Sequence, residues 1–417
     1  MQAQIKANRL GLGALALGHM VVDMQTSSLA IMIPLLYANF KLDYASAALI
    51  ITLNSITSSF IQPIFGVLSD RKSLRWLLPL GCLVASFGIV LVLYMPSYWL
   101  VLLVVMISGL GSAAYHPEGS RNANYVSGSN KATGVSFFFV GGNLGFTLGP
   151  IFATIMLALF GQNGILALII PGIIGSIVLW KFLPLYAEYA AVAKIQRAAR
   201  LAATQGQPSE RRGVVGMMSL LLSIISVRAV IQTGMITFIP LYFATLPGDN
   251  KQYAAFLLSV FLFCGAIGTL MGGRLADKFG SKAVMVGSMI LVTPLMLLFL
   301  NSSGVVQVVS LGIAGAALIS ASSLTVVMAQ ATMPNNIGLA SGLTLGLGFG
   351  AGGLGAAALG KLADVSGISL TMVIVAFLPI LIIALSLLMP SQKSRTIITK
   401  TGVAQPQAEA LIAPGGD

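Results

Sequence analysis

Apolar runs dominate the chain from residue 10 to residue 389, each close to the length of a bilayer crossing and each closed by a polar break. A spanning helix needs about 20 mostly apolar residues. Twelve stretches qualify: 10–37, 44–68, 76–95, 98–122, 132–160, 164–185, 214–243, 253–275, 282–300, 304–332, 337–362 and 367–389. Most breaks are very short, which forces consecutive helices to pack as antiparallel neighbours. The one long break, 186–213, separates six helices from six. Its first part, Tyr186 to Ala203, is Ala-rich with Lys194, Arg197 and Arg200 and reads as a basic surface helix; its second, Gln205 to Arg212, reads as a flexible joint. The expected organisation is an all-α polytopic membrane protein. It has an N-terminal six-helix half (1–185), a cytoplasmic linker (186–213), a C-terminal six-helix half (214–390) and a disordered cytoplasmic tail (391–417).

The halves repeat. Pro34-Leu-Leu-Tyr37 returns as Pro240-Leu-Tyr-Phe243 at an offset of 206, and Gly66-Val-Leu-Ser-Asp70-Arg71 returns as Gly273-Arg-Leu-Ala-Asp277-Lys278 at 207. Gly134, Gly142 and Gly145 return as Gly342, Gly350 and Gly353 at 208. Six helices per half is an even number, so both halves enter from the same side and the repeat is parallel, about an axis along the membrane normal.

Composition agrees with this plan: 57% of residues are hydrophobic, 8% are charged, and the mean hydropathy is +0.94. The net charge of +12 would suit a nucleic-acid partner, but its distribution argues against one. With a cytoplasmic N-terminus, nineteen of the 23 basic residues fall in inside segments, from Lys6 and Arg9 to Lys393, Arg395 and Lys400. Only Lys41, Lys251 and Lys361 fall outside, and Arg228 lies within the membrane. That is the positive-inside bias, with both termini cytoplasmic. The first apolar stretch, from about Leu10 to Tyr37, is too long for a signal peptide and contains His19 and Asp23. Cys82 and Cys264 lie in separate apolar helices and read as packing residues, not as a disulfide or metal pair.

Several motifs carry a family resemblance. Gly66, Asp70-Arg71 and Arg75, with Asp277-Lys278, Gly280 and Lys282, resemble the loop motif that major facilitator transporters carry between helices 2 and 3 and between helices 8 and 9. Ser73 stands where that motif usually has glycine. Gly141-Gly142-Asn-Leu-Gly145-Phe-Thr-Leu-Gly149-Pro150 resembles the glycine-proline motif of antiporters in this superfamily. His19 and Asp23, with His116-Pro-Glu-Gly-Ser-Arg121, resemble the fosmidomycin-resistance branch of drug exporters. The resemblance covers nearly all of the membrane part but not the tail. It implies the major facilitator fold, with twelve transmembrane helices in two parallel-related six-helix halves. It also implies export of a small phosphonate antibiotic against protons, and a role for Asp70 in bracing the cytoplasmic ends of the two halves through the N-terminus of helix 11.

Ionisable residues are rare enough in the membrane part to mark function by default. Tyr115-His-Pro-Glu-Gly-Ser-Arg121 places His116, Glu118 and Arg121 within six residues. At about 100° per residue, Glu118 and Arg121 share a face and can pair. His116 and Glu118 stand about 200° apart on an ideal helix. Pro117 between them predicts a broken or bent stretch that would relax that angle and expose carbonyls to the cavity. The plain alternative is a solvated helix end at the cytoplasmic mouth. His19 and Asp23, four apart, face the same way and suit proton exchange near neutral pH; the alternative is a structural pair that locks helix 1. Arg228 maps by the local offset to Val22, next to Asp23, and must hold an anion or a carboxylate, so it reads either as a substrate ligand or as a permanent lock on Asp23. On helix 10, His116, Glu118 and Arg121 map to Leu324, Val326 and Ala329, so fold symmetry does not require the cluster. Glycines on helix 5, among them Gly145 and Gly149, and on helix 11 would let helices approach and slide.

The expectation is a proton-coupled exporter of a small anionic drug in a bacterial cytoplasmic membrane, with no cofactor or metal, acting as a monomer. Arg228, Arg121, His116, Tyr115, Gln232 and Asn143 are the candidate substrate ligands, and Asp23, His19, Glu118 and His116 the candidate proton carriers. Gly66, Asp70, Arg71, Arg75, Asp277, Gly145, Gly149 and Pro150 are the candidate conformational residues. The competing reading is a facilitator for a physiological organic anion, import or export. An intramembrane metalloenzyme built on His19, Asp23, His116 and Glu118 lacks a His-Glu-x-x-His pattern and needs more convergent ligands; the chain does not read as an enzyme.

Overall fold

The computed structural model describes residues 6–203, 211–245 and 251–389; the tail from 391 and residues 205–210 of the joint lie outside the described residues, whereas Arg211 and Arg212, read as part of the joint, open the seventh helix. The first half comprises α1 (Arg9–Phe40), α2 (Tyr44–Phe60 and, after a break at Ile61, Gln62–Arg71), α3 (Leu77–Leu91), α4 (Tyr98–Val126), α5 (Lys131–Phe160) and α6 (Ile169–Ala203). The second comprises α7 (Arg211–Ala244), α8 (Lys251–Phe279), α9 (Ser281–Leu300), α10 (Gly304–Thr332), α11 (Ile337–Ser366) and α12 (Ile368–Leu387). Eleven helical stretches are long and apolar enough to cross a membrane, and one of them, Lys131–Ala199, spans α5 and most of α6. The twelve expected crossings are therefore present, and no strand occurs among the described residues.

Local chemistry sets the ends and the breaks. The Asn8 side chain accepts the Gly11 N–H at 2.8 Å to start α1, and Asp43 accepts the Ser46 N–H at 2.7 Å to start α2. The break in α2 lies two residues before Pro63, whose ring has no N–H and crowds the carbonyl of Ser59.

Three sequence expectations need correction. The sixth crossing does not begin as an α-helix at 164: a 3-10 segment, Gly161–Leu168, precedes α6. The helix also does not stop at 185. It continues through Pro184 to Ala203, so the stretch read as a separate surface helix extends α6. Its Ala-rich composition favours propagation. Tyr186 and Tyr189 tie it to the first helix and its approach by donating to Gly11 O and Lys6 O, each at 2.9 Å. Finally, α4 is one unbroken helix despite Pro117, so no opened stretch presents carbonyls there.

Each half has its own apolar core. In the first, Leu29, Met32, Leu36 and Ile89 form one cluster and Leu15, Val22, Tyr115 and Phe138 another; in the second, a single cluster runs from Met218 to Met389. The halves meet at the end of the bundle where α1 begins and α12 ends, here called the base. Gly66 lies against the backbone of Gly338, and Gly342 against that of Gln62, so α2 and α11 touch main chain to main chain. Gly273 of α8 likewise packs on Ser136 of α5.

Candidate transport site

The chemistry-bearing residues separate into a triad, a pair-based cluster at the base, and one buried arginine. In the triad, α1 presents His19 and Asp23 one turn apart, and α4 brings His116 to the same carboxylate. His19 Nε2 lies 3.2 Å from Asp23 Oδ2, and His116 Nε2 lies 3.1 Å from Asp23 Oδ1. The exposures are 3% for His19, 3% for Asp23 and 1% for His116. The outer ring nitrogens are also engaged: His19 Nδ1 is 2.8 Å from Phe138 O, and His116 Nδ1 is 2.8 Å from Ser112 O. Phe138 stacks on the His19 ring at a centroid distance of 4.1 Å. Gly142 of α5 closes the remaining side, where a Cβ would stand 2.6 Å from both Asp23 Oδ2 and His19 Nε2. The three donor atoms lie within 4.8 Å of one another, the one such group of possible metal ligands among the described residues. Each imidazole nitrogen, however, addresses a different carboxylate oxygen, which is hydrogen-bond geometry.

The second cluster lies one to two turns nearer the base. Glu118 is fully buried and takes Arg121 Nη2 on both oxygens at 2.8 Å, with Asn122 Nδ2 also at 2.8 Å. Arg121 further donates to Ser69 O and stands 3.9 Å from Asp70. A buried carboxylate needs this satisfaction, and one charged guanidinium nitrogen together with the Asn122 amide supplies it. The alternative of a solvated helix end does not hold, since His116, Glu118 and Arg121 are 1%, 0% and 6% exposed. His116 and Glu118 do not share a site: they point apart, as the 200° wheel angle requires, and Pro117 does not relax it. Arg121 was expected at the substrate and instead commits both Nη atoms to protein groups, Ser69 O and Glu118, although its Nε, like that of Arg228, has no partner. Tyr115, expected there too, is fully buried and donates to Leu15 O at 2.5 Å, which fixes α4 against α1.

Arg228 on α7 is 9% exposed and donates to Gln232 Oε1 at 2.6 Å; its Nε has no partner. The expected Asp23–Arg228 contact is not formed, because the two histidines already take both oxygens of Asp23. The repeat places the two residues at equivalent levels but does not fix their rotation. Among the buried ionisable side chains of the described residues, Arg228 is thus the cation without a carboxylate. Asn143 on α5 is half-buried, and its carbonyl accepts the Thr147 hydroxyl at 2.9 Å.

At the base the repeat becomes visible as paired caps. Asp70 accepts the N–H groups of Gly338 and Leu339 at 2.9 and 2.8 Å, capping α11 from the first half. Asp277 accepts those of Ala132 and Thr133 at 3.0 and 2.8 Å, capping α5 from the second. The capped residues are 206 apart, the capping ones 207. Arg197 of the α6 extension donates to Asp70 O at 3.2 Å, whereas Arg71 is exposed and Arg75 half-buried. On α5, Gly145 packs on the α1 backbone at Met20 and Met24, and Gly149 on Met24 and Ser27, one residue before Pro150.

Sequence reasoning missed Ser69, Ser112, Asn122, Asn124 and Gln330. Asn124 and Gln330 hydrogen-bond across the halves at 2.7 Å, and Gln330 Nε2 also reaches Ser120 Oγ at 3.0 Å. The two residues are 206 apart, whereas the repeat offset on this helix pair is 208 and maps Asn124 to Thr332, so the repeat did not single out this contact. Asn122 follows Glu118 by four, which helix spacing made legible.

The family model of the Major Facilitator Superfamily matches residues 15–343 and 221–411. The chain belongs to the major facilitator superfamily. It is 35% identical over 374 residues to the fosmidomycin resistance protein of Escherichia coli (strain K12), covering 89% of this chain and 90% of the relative. It is 32% identical over 377 residues to the uncharacterized MFS-type transporter YfnC of Bacillus subtilis (strain 168), covering 90% and 92%. Among solved structures, the transporter FucP in its outward conformation matches with a TM-score of 0.68 at 16% identity, over 91% of this chain and 99% of that one. The human organic anion transporter MFSD10 matches with 0.67 at 16%, over 91% and 99%. These two likenesses speak to the fold, which is the major facilitator fold. The family is one of membrane transporters for small molecules, and the likeness to the fosmidomycin-resistance branch stands on the sequence relative.

Proposed function

We propose that this transporter exports a small anionic antibiotic of the phosphonate class in exchange for protons, by alternating access. The observation that carries the substrate class is Arg228: a buried guanidinium bonded to Gln232 and to no carboxylate. A guanidinium offers a planar fork that matches a phosphonate on two oxygens. Gln232, already bonded to it, orients the fork, and Asn143 is a further candidate contact. The relative named for fosmidomycin resistance supports this drug class and the outward direction.

The coupled protons are assigned to the triad. A carboxylate held between two imidazoles and removed from solvent gives a coupled proton three adjoining side chains to occupy. Glu118 acts differently, as the fixed counter-charge of Arg121. The caps of Asp70 and Asp277 hold the base shut, which corresponds to an outward-facing state if the base is cytoplasmic, as the positive-inside bias indicates.

The test is transport of a labelled phosphonate by purified protein in proteoliposomes, with pH and voltage gradients imposed separately. A phosphate-like group carries roughly −1.5 to −2 charges at pH 7, and one charge crossing 100 mV is worth about 2.3 kcal/mol. Export of a dianion against one proton would therefore respond to both gradients. A pH gradient without effect on the flux would exclude proton coupling, and an organic anion preferred over the phosphonate would favour the facilitator reading.

A further inference from the structure

The hydrogen-bond polarity around the triad determines how many protons it holds. Backbone carbonyls only accept. Phe138 O lies 2.8 Å from His19 Nδ1 and Ser112 O lies 2.8 Å from His116 Nδ1, so both Nδ1 atoms must carry hydrogen and donate it. The Ser112 hydroxyl, 3.2 Å from His116 Nδ1, does not change this, because the nearer carbonyl already demands a donor. A neutral imidazole with hydrogen on Nδ1 has a bare lone pair on Nε2. Both Nε2 atoms point at Asp23, at 3.2 and 3.1 Å, and an ionised carboxylate is also acceptor-only. With two neutral rings and an ionised carboxylate, both contacts would set lone pair against lone pair in a buried site. Each contact therefore requires one proton of its own.

We infer that His19, Asp23 and His116 form a two-proton site, in which each proton lies between an Nε2 and a separate oxygen of Asp23 while both Nδ1 atoms stay fixed donors. The formal charge of the triad is then +1 with both protons, 0 with one and −1 with none. Among the described residues, α1 contributes the triad's own two members. From α4, Tyr115 has committed its hydroxyl to Leu15 O, and Glu118 and Arg121 satisfy each other away from it. From α5 come Phe138, Phe139 and Gly142, and from α3 the Cys82 thiol turned to Gly18 O at 3.7 Å. Arg228 of the other half is bonded to Gln232. The site therefore bounds its contribution at two coupled protons per cycle. This deepens the proposed role of the triad in proton coupling, yet the proton count is measured without substrate.

The chain contains two histidines in all, both in the triad. Uniform labelling of histidine with nitrogen-15 thus gives a spectrum of two rings in the purified full-length protein. The expected result across a pH titration is loss of two protons from the pair, with each ring, once neutral, protonated on Nδ1 and bare on Nε2. In Asp23→Asn the side-chain amide offers one donor and one acceptor, so one ring stays neutral with its Nε2 receiving the amide hydrogen. The number of rings that form imidazolium with a side-chain oxygen partner then falls from two to one. A neutral ring carrying hydrogen on Nε2 in the wild type, or loss of a single proton in all, would overturn the inference. So would stoichiometric zinc retained through purification with both Nε2 signals moved to metal-bound positions. A protein that shows the two-proton pattern but moves no phosphonate would instead overturn the proposed substrate and leave this inference standing.

Discussion

Removing the paired caps should open the base, and the structure sets the size of the effect. Each aspartate accepts two N–H groups at the start of a helix in the opposite half, at 2.8–3.0 Å. Loss of an N-cap side chain costs about 0.5–2 kcal/mol, and loss of the negative charge at a helix N-terminus about 0.3–1 kcal/mol more. Taking about 1.5 kcal/mol for each aspartate, Asp277→Ala should shift the ratio of base-open to base-closed molecules about tenfold. Asp70→Ala should do slightly more, since Arg121 at 3.9 Å also loses a neighbour, though it keeps Glu118. The two sites do not share a partner, so the double variant should approach a hundredfold shift. Spin labels on Ser129 and Ala283, exposed residues of the two halves near the base, would report the populations by pulsed EPR once Cys82 and Cys264 are replaced. Each variant should add a longer-distance population, and the double variant should raise it to about half of the molecules if the wild type populates it at about one per cent. A double variant with the wild-type distance distribution would refute the energetic role of the caps.

Four further outcomes are expected. Asp23→Asn should abolish efflux driven by a pH gradient while substrate exchange at equilibrium persists in part; unchanged driven efflux would remove Asp23 from the mechanism. Arg228→Ala should eliminate phosphonate binding in calorimetry and Arg228→Lys should weaken it, because the two-pronged contact is lost; equal affinities would leave Arg228 as a structural residue. Arg121→Ala should lower stability by about 3–5 kcal/mol, since Glu118 is left buried and unpaired, and Glu118→Gln in the same chain should recover much of it; a thermal midpoint unmoved by Arg121→Ala would contradict the pairing. Gly142→Val should separate His19 from Asp23 and uncouple transport from pH without unfolding the protein; normal pH-driven efflux by that variant would show that the tight approach is dispensable.

Much of this architecture was legible in the sequence because a bilayer imposes length and polarity rules on every crossing. The drifting offset of 206 to 208 located both copies of the loop motif, and the structure shows the two aspartates at equivalent positions. Pairings within one helix were also legible, since spacings of three and four put Glu118 beside Arg121 and His19 beside Asp23. Pairings between helices were not. That His116 joins Asp23 depends on how α4 is rotated against α1, which periodicity does not carry. Pro117 misled for a related reason: it removes one backbone donor, but a helix packed on all sides tolerates that without opening. The repeat likewise gave the level of Arg228 and not its direction. The extension of α6 was obscured by composition, because Tyr186 to Ala203 is polar enough to resemble a detached surface helix while remaining a strong helix former.

The deep polar groups share one property that bears on how the protein is made. His19 and Asp23 are four apart on α1, Glu118 and Arg121 three apart on α4, and Arg228 and Gln232 four apart on α7. During synthesis each helix enters lipid before all of its neighbours have arrived, and a lone charge at its centre costs about 2.5–3.5 kcal/mol on insertion scales. Here every such charge travels with a partner one turn away on the same segment. His116 is the exception, and as a neutral imidazole it can enter uncharged and meet Asp23 only when α4 settles against α1. The hydrogen-bonded triad would then be completed during helix assembly and not during insertion, so a nascent chain halted after α3 would carry the carboxylate and one imidazole but not the finished site.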